Sequence, residues 1–222
     1  MRRAAVGAAL AVAVGALLTG CTSNTPAERS AEPEASASPS SGVTFAAIGD
    51  SISDADSPDF AAGRFGPASW ASAATAEGLA FAGGWAEWGA TTAQMAAAAP
   101  AVDADVLIVL AGTNDVALGI PFAESAANLD RIVEAVGVDE VAVVSIPPLD
   151  LDPAGVESYN AELSELADDR GWRFLDASAG LRTDEGRFRE GMTVDGAHPT
   201  AEGARVLGEA IAAGVLSGKT GG

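Results

Sequence analysis

Two residue types that carry much of the chemistry of small exported proteins are nearly missing. The chain has one cysteine and one histidine in 222 residues. A lone cysteine cannot close a disulfide within the chain or build a multi-cysteine metal site, so the folded part must stand on its hydrophobic core. A lone histidine, His198, leaves one imidazole for proton transfer near neutral pH. Basic residues are scarce as well: 12 Lys and Arg against 31 Asp and Glu give a formal net charge of −19. Such a chain is a poor nucleic-acid binder, is repelled by anionic lipid surfaces and disfavours polyanionic substrates. Most of that charge serves solubility. There is no internal repeat and no long apolar insertion of the kind that closes over a site.

The first twenty residues read as an export signal. Arg2 and Arg3 form a positive start, Ala4 to Leu17 an apolar stretch too short and wrongly flanked to span a membrane, and Leu18-Thr19-Gly20-Cys21 follows. This ending resembles a bacterial lipobox. The resemblance implies cleavage before Cys21 and its lipidation, giving an extracytoplasmic, cell-surface lipoprotein that touches the membrane only through that anchor. Stable anchoring needs two or more acyl chains. Residues 21–42 are rich in Ser, Ala, Pro, Thr and Glu without apolar periodicity, as expected of a disordered linker. Residues 43–217 suit one domain with a sizeable core, followed by a flexible tail over 218–222.

Within that domain short apolar runs alternate with helical stripes. Strands are expected at Val43 to Ile48, Leu79 to Ala82, Val106 to Leu110, Val141 to Ile146 and Arg173 to Leu175. Helices are expected over Ala68 to Glu77, Thr91 to Ala99, Pro121 to Val136, around Val156 to Leu166, and over Thr200 to Leu216. Segments 53–67 and 83–89 read as loops. The alternation predicts an α/β domain, a three-layer α/β/α sandwich with a parallel sheet of about five strands.

Ligand sites in such sheets lie beyond the carboxyl ends of the strands. Ser51 follows the first predicted strand, Gly89 the second and Asn114 the third, so all three belong to one edge. Taken singly, Gly49-Asp50-Ser51, Asn114-Asp115 and Asp195-Gly196 are ordinary turn and capping chemistry. Taken together with His198 they supply a nucleophile, an acid and a base. Asp195 and His198, three apart, can sit on one turn. Pro199 holds His198 in extended backbone, and a bond from Nδ1–H to Asp195 would leave Nε2 facing Ser51.

With those residues in place, the chain resembles the SGNH/GDSL hydrolase family. Gly49-Asp50-Ser51-Ile52 matches its first block with Ile where Leu is usual. Gly112-Thr113-Asn114-Asp115 matches the third block and Asp195-Gly196-Ala197-His198-Pro199 the fifth. For the second block Gly89 is the best match, with Gly83 and Gly84 as rivals. Tyr159-Asn160 and Asp176 also fit, in structural roles. The resemblance implies flavodoxin-like SGNH architecture and a Ser51, Asp195, His198 triad. It places an oxyanion hole at Ser51 N–H, Gly89 N–H and the Asn114 amide. It implies a monomeric serine esterase with no cofactor and no metal.

The expected substrate is a small-molecule or glycan ester with a short acyl group, since the loops are short and the site open. A lipase, thioesterase or acyltransferase on the same scaffold is the alternative, and a non-catalytic ligand-binding surface lipoprotein the alternative of another kind. Asp54, Asp56 and Asp59 read as a solvated acidic loop rather than a cation site. Trp70, Trp85 and Trp88 read as core. An exposed Trp85 or Trp88 would instead stack on a sugar or line an acyl pocket.

Overall fold

The structure, a computed structural model, describes residues 42–218. Cys21, the expected signal and the expected linker up to residue 41 lie outside the described residues, as do residues 219–222.

Five apolar segments form one all-parallel sheet: β1 (Thr44–Gly49), β2 (Ala80–Ala86), β3 (Val106–Leu110), β4 (Val141–Val144) and β5 (Arg173–Leu175), in the order β2-β1-β3-β4-β5. Parallel neighbours need crossover connections. These are supplied by α1 (Ser51–Asp54), α2 (Trp70–Ala76), α3 (Thr92–Ala98), α4 (Thr113–Leu118), α5 (Phe122–Val136) and α6 (Pro153–Arg170), and α7 (Ala201–Gly218) follows the last strand.

The period of two along each strand divides the core into two layers. Phe45 and Ala47 of β1 and Val106, Ile108 and Leu110 of β3 pack against Trp70 and Ala74 of α2 and Leu207, Ile211 and Val215 of α7. Ala46, Ile48, Leu107 and Val109 face the other way, onto Met95 of α3, Leu129 and Ile132 of α5, and Val156 and Leu163 of α6. The continuous apolar runs in β1 and β3 follow from this burial on both faces. Each Phe, Ile, Leu or Val among them contributes about 1.5–3 kcal/mol on burial.

The expected elements are present with two differences that matter for the site. First, β2 runs on to Ala86, through Gly83 and Gly84. That pair reads as a turn in sequence, yet it serves close packing of strands. A Cβ on Gly84 would lie 1.9 Å from the Ala47 carbonyl oxygen. The register also shifts between Phe45 and Ala46, which pair with Phe81 and Gly83. Second, two short helices, α1 and α4, form where the sequence predicts no helix. Both begin within three residues of a strand's carboxyl end.

Candidate active site

The turn from β1 into α1 carries Ser51. Asp50 caps α1, its Oδ1 accepting the Ile52 N–H at 3.0 Å. Below it, Ser53 Oγ accepts from the Trp70 indole at 2.8 Å, and Ser69 Oγ donates to the Ser53 carbonyl at 2.5 Å. Both bonds are buried and fasten α1 to α2. Ser51 therefore sits on a rigid turn and is only 6% exposed.

The Asp195–His198 segment closes on itself before it reaches Ser51. Asp195 Oδ1 accepts the N–H groups of Ala197 and His198 at 2.9 and 2.8 Å. Thr193 Oγ donates to the His198 carbonyl at 2.8 Å and accepts the Gly196 N–H at 2.9 Å. Thr200 caps α7, accepting the Gly203 N–H at 3.1 Å. What remains free to point outward is the imidazole. His198 Nδ1 lies 2.8 Å from Asp195 Oδ2, and Nε2 lies 2.9 Å from Ser51 Oγ. With Nδ1–H donated to the carboxylate, Nε2 is the acceptor for the serine hydroxyl. Ser51, His198 and Asp195, 147 residues apart at their extremes, form one hydrogen-bonded chain.

Asn114 lies in the first turn of α4. Its amide donates to the Ala90 carbonyl at 2.9 Å and reaches Asp50 Oδ2 at 3.4 Å. Asn114 thus joins the Ser51 turn to the loop after β2. Gly89 stands in that loop, at φ +72°, where a side chain would be strained. Gly83 and Gly84 lie inside β2, away from the strand ends. The loop is pinned from behind by buried Asp115, which accepts from the Thr92 N–H at 3.1 Å and hydroxyl at 3.2 Å.

Burial sets the electrostatics. Asp50 is fully enclosed, which pushes its carboxyl from the ordinary 3.8 to about 7, against the opposing bond from Ile52 N–H and the pull of His198. Burial also raises Asp115, despite its bonds from Thr92. For Asp195 burial acts upward but is outweighed by the bonds from the His198 N–H and ring and from Ala197, so this carboxyl titrates below the ordinary range. Asp195 is therefore ionised at neutral pH, while buried Asp50 beside Ser51 is poised to hold a proton.

The family profile of GDSL-like lipases and acylhydrolases matches residues 47–206. The chain belongs to that family. This GDSL-family fold is shared by a lipase/acylhydrolase from Enterococcus faecalis (TM-score 0.61, 16% identity, covering 79% of this chain and 96% of that one). It is shared by a GDSL-like lipase from Bacteroides thetaiotaomicron (0.59, 17%, 79% and 88%). It is also shared by a mutant acetyl esterase solved with an acetate ion (0.57, 20%, 79% and 97%). No curated protein matches this GDSL-family chain.

Two features of this GDSL-family site exceed the sequence reading. Trp88 is not core. It is 50% exposed and stacks on the His198 ring, centroids 4.8 Å apart at 30°. Trp70 is fully buried as expected, and Trp85 packs partly buried against the α3, α5 and α6 side of the sheet. The signal for Trp88 was its place one residue before Gly89, past the strand's end. The second feature is the contact of Asp50 with Asn114, two blocks that sequence spacing cannot relate. In the acidic loop after Ser51, Asp59 pairs with Arg64 at 2.5 Å and accepts the Ala62 N–H. Among the described residues no cluster of His, Cys, Asp and Glu is arranged to hold a metal ion. A cavity of about 670 Å³ between α6 and residues 176–186 holds none of the site residues.

Proposed function

We propose that this GDSL-family chain, an ester hydrolase by family, is a serine carboxylesterase working through Ser51, His198 and Asp195. The reading rests on one observation: Ser51 Oγ, His198 and Asp195 Oδ2 are linked by bonds of 2.9 and 2.8 Å. A serine hydroxyl is a weak nucleophile until a base takes its proton. Ser51 Oγ attacks the ester carbonyl as His198 Nε2 accepts that proton, and Asp195 stabilises the imidazolium. His198 then protonates the departing alcohol, leaving an acyl-serine. Water, deprotonated by His198, attacks the acyl carbon, and the proton returns to Ser51 Oγ as the acid leaves.

Negative charge develops on the former carbonyl oxygen in both steps. We assign its donors to Ser51 N–H, Gly89 N–H and the Asn114 amide. The 3.4 Å bond from Asn114 to Asp50 is long and readily exchanged for an oxyanion. The short loops and exposed His198–Asp195 pair favour short-acyl esters, acetyl groups on small molecules or glycans. Lipidation of Cys21, with surface anchoring, belongs to the same proposal; intact-mass measurement of the membrane-extracted protein before and after de-esterification would reveal the acyl groups.

The soluble domain, residues 42–222, is to be assayed on p-nitrophenyl acetate, butyrate, octanoate and palmitate beside Ser51→Ala. Turnover falling with chain length and absent from a folded Ser51→Ala supports the reading. A folded Ser51→Ala that keeps wild-type turnover overturns it.

A further inference from the structure

The catalytic base has a neighbour that the triad scheme does not use. Trp88 covers one face of the His198 imidazole, with centroids 4.8 Å apart and planes 30° from parallel. The indole is itself held. It sits in a turn closed by the Ala90 N–H bond to the Glu87 carbonyl at 3.2 Å. Beside it stands Asp54 of α1, whose carboxyl is raised by burial while the indole pulls it the other way. One aromatic plane thus stands on the loop after β2, next to α1, with His198 against it and half its surface open to water.

This arrangement does two things for a base. The Nδ1 bond to Asp195 and the Nε2 bond to Ser51 fix the ends of the imidazole but leave it free to rock about the line between them. A stacked plane removes that freedom. In addition, the ring is neutral at rest and cationic once Ser51 has given up its proton. An aromatic face attracts the cation more than the neutral ring, by an amount that is small at exposed sites and larger when water is excluded.

We propose that Trp88 is a positioning residue for His198, holding the imidazole plane toward Ser51 and favouring the imidazolium formed in each tetrahedral step. The inference rests on the reading of His198 as base. Charged groups facing the pair are Asp195 on the histidine's own loop, Asp50 below it on the β1–α1 turn, and Asp54 with Glu87 beside the indole.

Three variants separate this role from packing and from substrate contact. Trp88→Phe keeps an aromatic face, Trp88→Leu keeps bulk without one, and Asp54→Ala removes the carboxylate beside the indole. On p-nitrophenyl acetate, Trp88→Leu is expected to lose about 3- to 30-fold in kcat with little change in KM, the range that a cation–π contact spans. Trp88→Phe is expected to recover most of the loss, and Asp54→Ala to show a smaller one. Wild-type kcat in Trp88→Leu, or a rise in KM alone, overturns the proposal; the second would make Trp88 a substrate wall.

A readout independent of turnover tests the contact itself. Acidification that protonates His198 is expected to quench part of the tryptophan emission. That step should be missing from both Trp88→Phe and His198→Gln. A step surviving in Trp88→Phe overturns the contact, whereas a dead Ser51 with the step intact overturns only the esterase reading.

Discussion

At the scale of single residues, each side chain near Ser51 does a separable job, and the separations can be measured. In the proposed mechanism Asn114 contributes a donor needed when charge has moved onto the oxyanion. Asn114→Ala is expected to lower kcat by about 10²–10³ with KM nearly unchanged, because the donor acts in the transition state. A loss carried by KM would place it in ground-state binding instead. Asp50 makes a different prediction. Its carboxyl is raised from 3.8 to about 7 by burial, so the folded state binds that proton more tightly than the unfolded chain. The contribution to stability is fully present below about pH 4 and is lost as pH rises through 7. Asp50→Asn keeps an acceptor for the Ile52 N–H and cannot ionise. Urea midpoints should therefore favour the variant over wild type increasingly from pH 4 to pH 8, by a few kcal/mol at the upper end. A constant difference would mean that Asp50 is already ionised at low pH. Ser51, Asp195 and His198 were legible in sequence because their chemistry is rare: one imidazole, one acid three residues before it, one serine past a strand. The contacts of Trp88 with His198 and of Asp50 with Asn114 were not, because they cross between loops far apart in sequence.

At the scale of elements, what the sequence showed well was whatever has a period. The five-residue run of β3 and the stripe Leu129, Ile132, Val136 of α5 could be read directly, since burial on two faces or on one leaves a distinct spacing. The short helices α1 and α4 carry too few residues to show one, and both bear site residues. The end of β2 was missed for another reason: two glycines signal a turn unless one knows that a neighbouring strand passes 1.9 Å from where a Cβ would be. Tyr159-Asn160 of α6 shows how an element can steady the site from outside. Asn160 accepts the Ile146 N–H at 2.8 Å and donates to the Ile146 carbonyl at 3.1 Å, clamping the chain just past β4. The next loop then carries Asp150, whose N–H donates to Gly196 in the catalytic segment at 2.8 Å. Asn160→Ala leaves both backbone groups of buried Ile146 unpaired and is expected to cost about 1–3 kcal/mol of stability. Thermal unfolding would check this; a melting temperature equal to wild type would mean that water replaces the amide without loss.

At the scale of the whole molecule, a parallel sheet gathers the loops after β1, β2 and β3 at one edge, and the segment before α7 brings acid and base to them. Sequence order alone implied that edge, while the pairing order β2-β1-β3-β4-β5 accounts for why β1, carrying the serine, has a site loop on each side. Net charge acts at this scale too. At −19 the protein repels anions over distances that salt screens. Raising ionic strength to 1 M is expected to leave kcat/KM for neutral p-nitrophenyl acetate within about twofold while raising it for an ester bearing a carboxylate. Equal responses would show that the field at the site is not that of the whole chain. The proposed mechanism stands or falls on Ser51 being an activated nucleophile. A fluorophosphonate reacts with activated serines, and peptide mass spectrometry locates the adduct. One adduct is expected, on Ser51, lost in folded His198→Ala; an unlabelled folded wild type, or an adduct at another serine, would overturn the mechanism.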